Sequence, residues 1–237
     1  MKIVIKGFIQ TSMLDWEGKI VSTLYVPSCN FRCPFCQNSV LVLNSDSLEE
    51  IEIESIMKYL TSRKGWVDGV CITGGEPCMY EDLSDFIKKV RKTGMLVKLD
   101  TNGAYPQAIK KLMQDKLMDY IAIDIKAPLD MEHYANSAGI RNENTLHNVK
   151  ESIRIVMESG MDYEFRTTVV PCLHTAEDIK KIASFIKGAK KYALQNFKPQ
   201  DTIDESYMNV KPYTPDELRK IGNAVSGFVE KCIVRGI

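Results

Sequence analysis

Along this chain two hydrophobic patterns take turns. Short apolar runs rich in β-branched and aromatic residues alternate with longer stretches where apolar residues return every three or four positions among polar ones. The runs predict strands over residues 20–26, 69–73, 96–100, 120–125, 163–170 and 192–197, each followed by a predicted helix. Ile53, Ile56, Met57 and Leu60 line one face of the first helix; Leu218, Ile221, Val225, Phe228, Val229 and Cys232 line one face of the last. Thr214-Pro215-Asp216-Glu217 supplies a cap, a proline at the first helical position and a capping-box Glu, and Thr175 with Asp178 is a weaker version of the same device. Residues 131–144 and 198–213 read as loops.

Six strand–helix units in succession predict an α/β fold built on a parallel sheet. A closed barrel needs eight units, so the expectation is a partial (β/α)6 TIM-like barrel, with chemistry carried by the loops at the C-terminal ends of its strands. No linker rich in Pro, Gly or Ser divides the 237 residues. One domain is expected over 1–237, with an N-terminal segment at 1–19 and a C-terminal loop and helix over 198–237.

Composition narrows the field. Hydrophobic residues at 44% and charged residues at 26% describe a chain able to fill a core, which excludes a disordered protein. Lys and Arg total 31 and Asp and Glu total 31, so no net field draws nucleic acid or an anionic membrane. No apolar stretch approaches the ~20 residues that span a bilayer, and MKIVIKGFIQ lacks a signal-peptide core, so a cytoplasmic protein is expected.

Seven cysteines are present, and Cys29, Cys33 and Cys36 fall in one loop just after the first predicted strand. Such clustering suits a metal site in a reducing compartment better than a disulfide framework. Thiolates select soft metals: zinc, copper(I) or an iron–sulfur cluster. Three thiolates leave one metal position open. A structural zinc site completed by a distant Cys or His, or three buried cysteines without a ligand role, are the alternatives at this point; the histidines available are His133, His147 and His174. His174 reads as a surface-loop residue, and Cys71, Cys78, Cys172 and Cys232 form no second tight spacing.

The other strand ends are polar as well. Thr73-Gly74-Gly75-Glu76-Pro77 follows the second strand, where two glycines permit close backbone approach and a carboxylate stands at the rim. Asp100-Thr101-Asn102-Gly103 ends the third strand, and Asp124-Ile125-Lys126 ends the fourth. Arg166 lies on the fifth, where an inward-pointing guanidinium needs a carboxylate neighbour. Taken singly, each is a strand-end turn or a solvated charge.

Cys-x3-Cys-x2-Cys with Phe35 before the last cysteine resembles the cluster motif of the radical S-adenosylmethionine (SAM) superfamily, and Gly74-Gly75-Glu76 resembles its GGE motif. That resemblance implies a [4Fe–4S] cluster on Cys29, Cys33 and Cys36 whose remaining iron is chelated by SAM. It implies reductive cleavage of SAM to a 5′-deoxyadenosyl radical, with Gly74, Gly75 and Glu76 at the methionyl ammonium. The DTNG and D-x-K elements are similar to those of the pyruvate formate-lyase activating enzymes. On that likeness Asp100, Thr101 and Asp124 hold a monovalent cation and Lys126 approaches SAM; Phe35, Asp100, Thr101, Asn102 and Arg166 are further candidates for the SAM site, with Arg166 reading equally as half of a structural ion pair.

The N-terminal segment from Gly7 to Gly18 resembles that of the activating proteins of anaerobic ribonucleoside-triphosphate reductase. Those activases place a glycyl radical on a partner enzyme, so the implied partners are a glycyl radical enzyme and a flavodoxin or ferredoxin as electron donor. Glu17, Ser28 and Gln37 depart from the activase pattern, where proline, glycine and histidine are common. A radical SAM enzyme acting on a small metabolite, such as a compact 7-carboxy-7-deazaguanine synthase, is the second reading; that family's usual N-terminal motif is absent. A non-enzymatic zinc or electron-transfer protein is the third, and the polar strand ends argue against it.

Overall fold

Strands form at all six predicted runs, each boundary within one residue of expectation: β2 (Val21–Val26), β3 (Gly69–Gly74), β4 (Leu96–Thr101), β5 (Tyr120–Asp124), β6 (Asp162–Val169) and β7 (Tyr192–Asn196). Two more complete the sheet of this computed structural model, which describes residues 1–237: β1 (Gly7–Ser12) and β8 (Cys232–Arg235). The order is linear from β1 to β8, so the sheet is open. β1 runs antiparallel to β2, while β2–β3, β3–β4, β6–β7 and β7–β8 pair in parallel. Helices α1 (Ser39–Leu43), α2 (Ile53–Ser62), α3 (Leu83–Lys92), α4 (Pro106–Gln114), α5 (Met131–Ala138), α6 (Glu143–Glu158), α7 (Ala176–Phe185) and α8 (Pro215–Val225) supply the connections. No helix is long and apolar enough to cross a membrane.

By its contacts the chain divides into two compact units. The first comprises Met1–Asn30, Val40–Thr101 and Gln107–Ile121. Its helices bury one stripe each: Leu83, Phe86, Ile87 and Val90 on α3, at the spacing a 3.6-residue period demands. Trp16, from the N-terminal segment, packs with Val21, Cys71 and Tyr120.

The second unit comprises Phe31–Ser39, Asn102–Pro106 and Ala122–Ile237. Leu146, Val149, Ile153 and Val156 form the buried stripe of α6. Thr175 and Asp178 make a complete capping box at the start of α7, matching the one that Thr214 and Glu217 make on α8.

Two sequence expectations are corrected here. Residues 131–144 are not a loop: Asp130 accepts a hydrogen bond from the His133 amide at 3.0 Å and caps α5, which Gly139 ends at φ 67°. The last helix stops at Val225, so Phe228, Val229 and Cys232 lie beyond it and Cys232 opens β8. Ser226-Gly227 breaks the helix, since glycine is a poor helix former, and the β-branched Ile233-Val234 that follows suits a strand. Gly222 then lets α8 lie against β8, because a Cβ there would stand 2.8 Å from the Val234 side chain.

Candidate active site

In the first unit, backbone hydrogen bonds tie the end of β3 to the loop that carries Cys29. The Gly75 amide donates to the Val26 carbonyl at 2.8 Å and the Glu76 amide to the Ser28 carbonyl at 2.8 Å. Gly74 takes φ 110°, and a Cβ on Gly75 would overlap the Ser28 carbonyl, so this approach requires both glycines. The Tyr80 hydroxyl donates to the Pro27 carbonyl at 2.7 Å and the Ser28 amide to that of Leu41 at 2.9 Å. Ser28 itself stands at φ 62°, the left-handed region that glycine favours, which gives the Ser28 departure a local cost.

Glu76 is wholly buried, and its Oε1 accepts from the Cys78 amide at 2.8 Å and from the Thr101 hydroxyl at 2.7 Å. Burial, and then the Glu76 charge, push the Cys78 thiol well above its ordinary pKa. Asp100 pairs with a residue that sequence reasoning passed over: the Lys98 ammonium lies 2.6 Å from Asp100 Oδ1. Tyr25 on β2 has its phenol pushed up to about 12 by burial and by the charges of Asp15, Cys71 and Asp100. Asp15, in the N-terminal segment, accepts from the Thr23 hydroxyl at 2.6 Å.

In the second unit, the segment bearing Cys33, Phe35 and Cys36 is pinned at several points. The Cys36 amide donates to the Cys33 carbonyl at 3.0 Å, the Arg32 amide to Ala138 at 2.8 Å, and the Asp204 amide to Pro34 at 2.9 Å. Phe31, Cys33 and Phe35 are buried. Phe35 meets the His174 ring edge-on at 6.2 Å between centroids.

Asp124 holds two cationic side chains of this unit: Arg166 Nε stands 2.7 Å from Oδ1 and Lys126 Nζ 3.1 Å from Oδ2. The carboxylate partner expected for Arg166 is therefore Asp124. Burial works against ionisation of Asp124, but Arg166 and Lys126 override it and hold the carboxyl below the usual range. Burial likewise opposes the Lys126 ammonium, and Asp124 first, then Cys33 and Cys36, reverse this and raise its pKa. Asn102 spends its side-chain carbonyl on its own turn, accepting from the Ala104 amide at 2.9 Å.

His174 is no surface residue. It is fully buried, accepts from the Val170 amide at Nδ1 (3.0 Å) and donates from Nε2 to the Lys126 carbonyl (2.7 Å). These partners fix the Nε2–H tautomer, and burial lowers the pKa, keeping the ring neutral. The Tyr134 hydroxyl, on α5, receives the Lys126 amide at 3.4 Å. Tyr134 went unnoticed because its helix read as a loop, and a single His in a loop carries no burial signal. Lys98 did leave one: a lysine between Val97 and Leu99 in an apolar strand, two residues before Asp100, shares a face with that carboxylate.

A mostly parallel α/β sheet with thiols, carboxylates and an ammonium group at its strand ends has the layout in which open α/β folds carry their chemistry. The profile of the radical SAM superfamily matches residues 23–186, more than half of the chain, and the protein belongs to that superfamily. Two Methanocaldococcus jannaschii proteins, each provisionally designated a glycyl-radical enzyme activating enzyme, are similar to it. One is 29% identical over 239 residues, 100% of this chain and 98% of the relative. The other is 32% identical over 168 residues, 70% of this chain and 62% of the relative. A radical SAM methyltransferase from Sphaerobacter thermophilus shares the fold, with a TM-score of 0.72 at 12% identity over 93% of this chain and 67% of that one.

The superfamily's cofactors are a [4Fe–4S] cluster and SAM, and the residues present fit them. None of the seven cysteines is in a disulfide, and the three thiols of the Cys-x3-Cys-x2-Cys segment are of the soft-ligand type that such a cluster takes. The thiolates of a cubane cluster bind different irons and need not converge on one point; no three Cys, His, Asp or Glu side chains do so. The Gly74-Gly75 backbone packs directly on that of Val26 and Ser28, which draws the end of β3 against the segment that leads into Cys29. The groups assigned to a monovalent cation fit less well: Asp100 is paired with Lys98, Asp124 with Arg166 and Lys126, and the Thr101 hydroxyl donates to Glu76.

Proposed function

We propose that this protein is a glycyl-radical enzyme activase whose cluster is held by Cys29, Cys33 and Cys36. The reading rests above all on similarity along the full length to a protein with that designation. When bound, the cluster and SAM supply the electron transfer that cleaves the sulfonium and yields a hydrogen-abstracting radical.

The chain's own residues hold and orient the cofactor. Gly74 and Gly75 would offer backbone to the methionyl end of SAM, and Glu76, with Thr101 beside it, would offer a carboxylate to the ammonium. Lys126, kept charged by Asp124, would take the SAM carboxylate; Arg166 fixes Asp124, and Asn102 shapes the turn after β4. Phe35, buried between Cys33 and Cys36 in sequence, would help keep water from the cluster. The hydrogen donor is a backbone glycine of a partner such as anaerobic ribonucleotide reductase, and the electron comes from a flavodoxin or ferredoxin in the cytoplasm.

Anaerobic reconstitution with iron and sulfide, followed by a strong reductant and SAM, is expected to give 5′-deoxyadenosine. With a glycyl radical enzyme present, electron paramagnetic resonance is expected to show a radical on that polypeptide. Hydrogen transfer to a small metabolite, with no protein radical, would replace the activase reading by the small-molecule one. A full cluster that leaves SAM intact would sink both.

A further inference from the structure

Lys98 is 1% exposed and lies on β4 opposite Cys71, which in turn lies opposite Thr23 on β2. Its Nζ stands 2.6 Å from Asp100 Oδ1, 3.9 Å from the Cys71 sulfur and 6.0 Å from the centre of the Tyr120 ring. Asp100 is itself 8% exposed. An ammonium and a carboxylate withdrawn this far from water are kept only as a pair, because either alone carries a large desolvation cost. The carboxylate is thus supplied with a cation that belongs to the chain.

We propose that the Lys98 ammonium is a tethered counter-ion that takes the place of a bound monovalent cation at Asp100, so that this enzyme holds SAM without K⁺ or Na⁺. The inference rests on the SAM-binding reading given above. A free cation seated on Asp100 would approach the Lys98 ammonium and be repelled by it. It would also have to draw the Thr101 hydroxyl from Glu76. Tethering makes the charge permanent: it is present at any salt concentration and loses no freedom of its own when SAM arrives. Lys98 is in this sense a positioning residue, acting through Asp100.

Two measurements test the proposal. The first is uptake of thallous ion, a K⁺ mimic, by the apo protein in tetramethylammonium buffer, followed by equilibrium dialysis. The native chain is expected to take up none stoichiometrically, and one tightly held ion per chain would overturn the proposal. The second is SAM binding by the reconstituted holoprotein, titrated with tetramethylammonium or K⁺ as the sole cation at matched ionic strength. Equal affinity in the two is expected, whereas an affinity about tenfold higher with K⁺ would overturn the proposal. Lys98→Met is expected to bind SAM about tenfold more weakly without K⁺ and to recover with it, a rescue that mere packing damage would not show. Should that variant fail to fold, both measurements on the native chain still decide. A holoprotein that ignores SAM in every buffer would defeat the functional reading, and thallous uptake would still judge Lys98 separately.

Discussion

A methyl group added at Gly75 has nowhere to go, because the atoms in its path are the carbonyl group of Ser28, one residue before Cys29. Backbone pinned by the Glu76 and Leu41 hydrogen bonds cannot retreat as the end of a side chain can. Gly75→Ala is therefore expected to cost about 1–3 kcal/mol in urea denaturation of the apo protein. Gly227→Ala, with open space around it and no positive φ, is expected to be close to neutral. Equal midpoints for the two variants would contradict this account. His174 sets a pH dependence at the same scale. Its folded pKa is lowered, by burial first, so the unfolded chain takes up a proton near pH ~6.5 while the folded chain does not. The stability this contributes is present above that pH and is lost as pH falls, by at most about 1.4 kcal/mol per pH unit. Urea midpoints at about pH 7.5 and 5.5 are expected to converge in His174→Gln relative to the native chain.

At the scale of elements, what the sequence announces best is where regular structure begins. Thr175 and Asp178 satisfy each other's backbone donors at the start of α7, with the Thr175 hydroxyl accepting from the Asp178 amide at 3.2 Å and Asp178 Oδ2 from the Thr175 amide at 3.0 Å. Thr175→Ala is expected to cost about 1 kcal/mol, and Thr175→Ser to restore most of it, in thermal denaturation. A cap is local, a few residues long, and so can be read without knowing what packs against it. Asp130 shows the limit of that reading. It caps α5 by the same chemistry, but the helix is short and has no long apolar stripe to support the signal, so it passed for a loop. The glycines of the β3 loop were legible as a close approach, yet the partner they approach, Ser28, follows only from the folded backbone.

At the scale of the whole chain, six strands were legible because each run is short, rich in β-branched, aliphatic and aromatic residues, and largely buried in the sheet. The outer strands escaped for the opposite reason. β1 is mostly exposed and β8 is only half-buried, so neither shows the continuous apolar run of an interior strand. An ion pair joins the backbone pairing to β7 at β8. Arg235 meets Glu164 on β6 through two hydrogen bonds, 3.0 and 2.7 Å, and Glu164 is 3% exposed. No sequence pattern links residues 71 positions apart, so this pair was out of reach before the strands were in place. Its removal has a definite sign. Arg235→Met leaves a buried carboxylate without its cation and is expected to destabilise the protein by about 3 kcal/mol, whereas Glu164→Gln with Arg235→Met, which removes both charges, is expected to recover most of that loss. A double-mutant cycle in urea measures the difference. If the single and double variants are equally unstable, β8 is held by its backbone pairing to β7 and by the packing of α8, and the ion pair adds nothing.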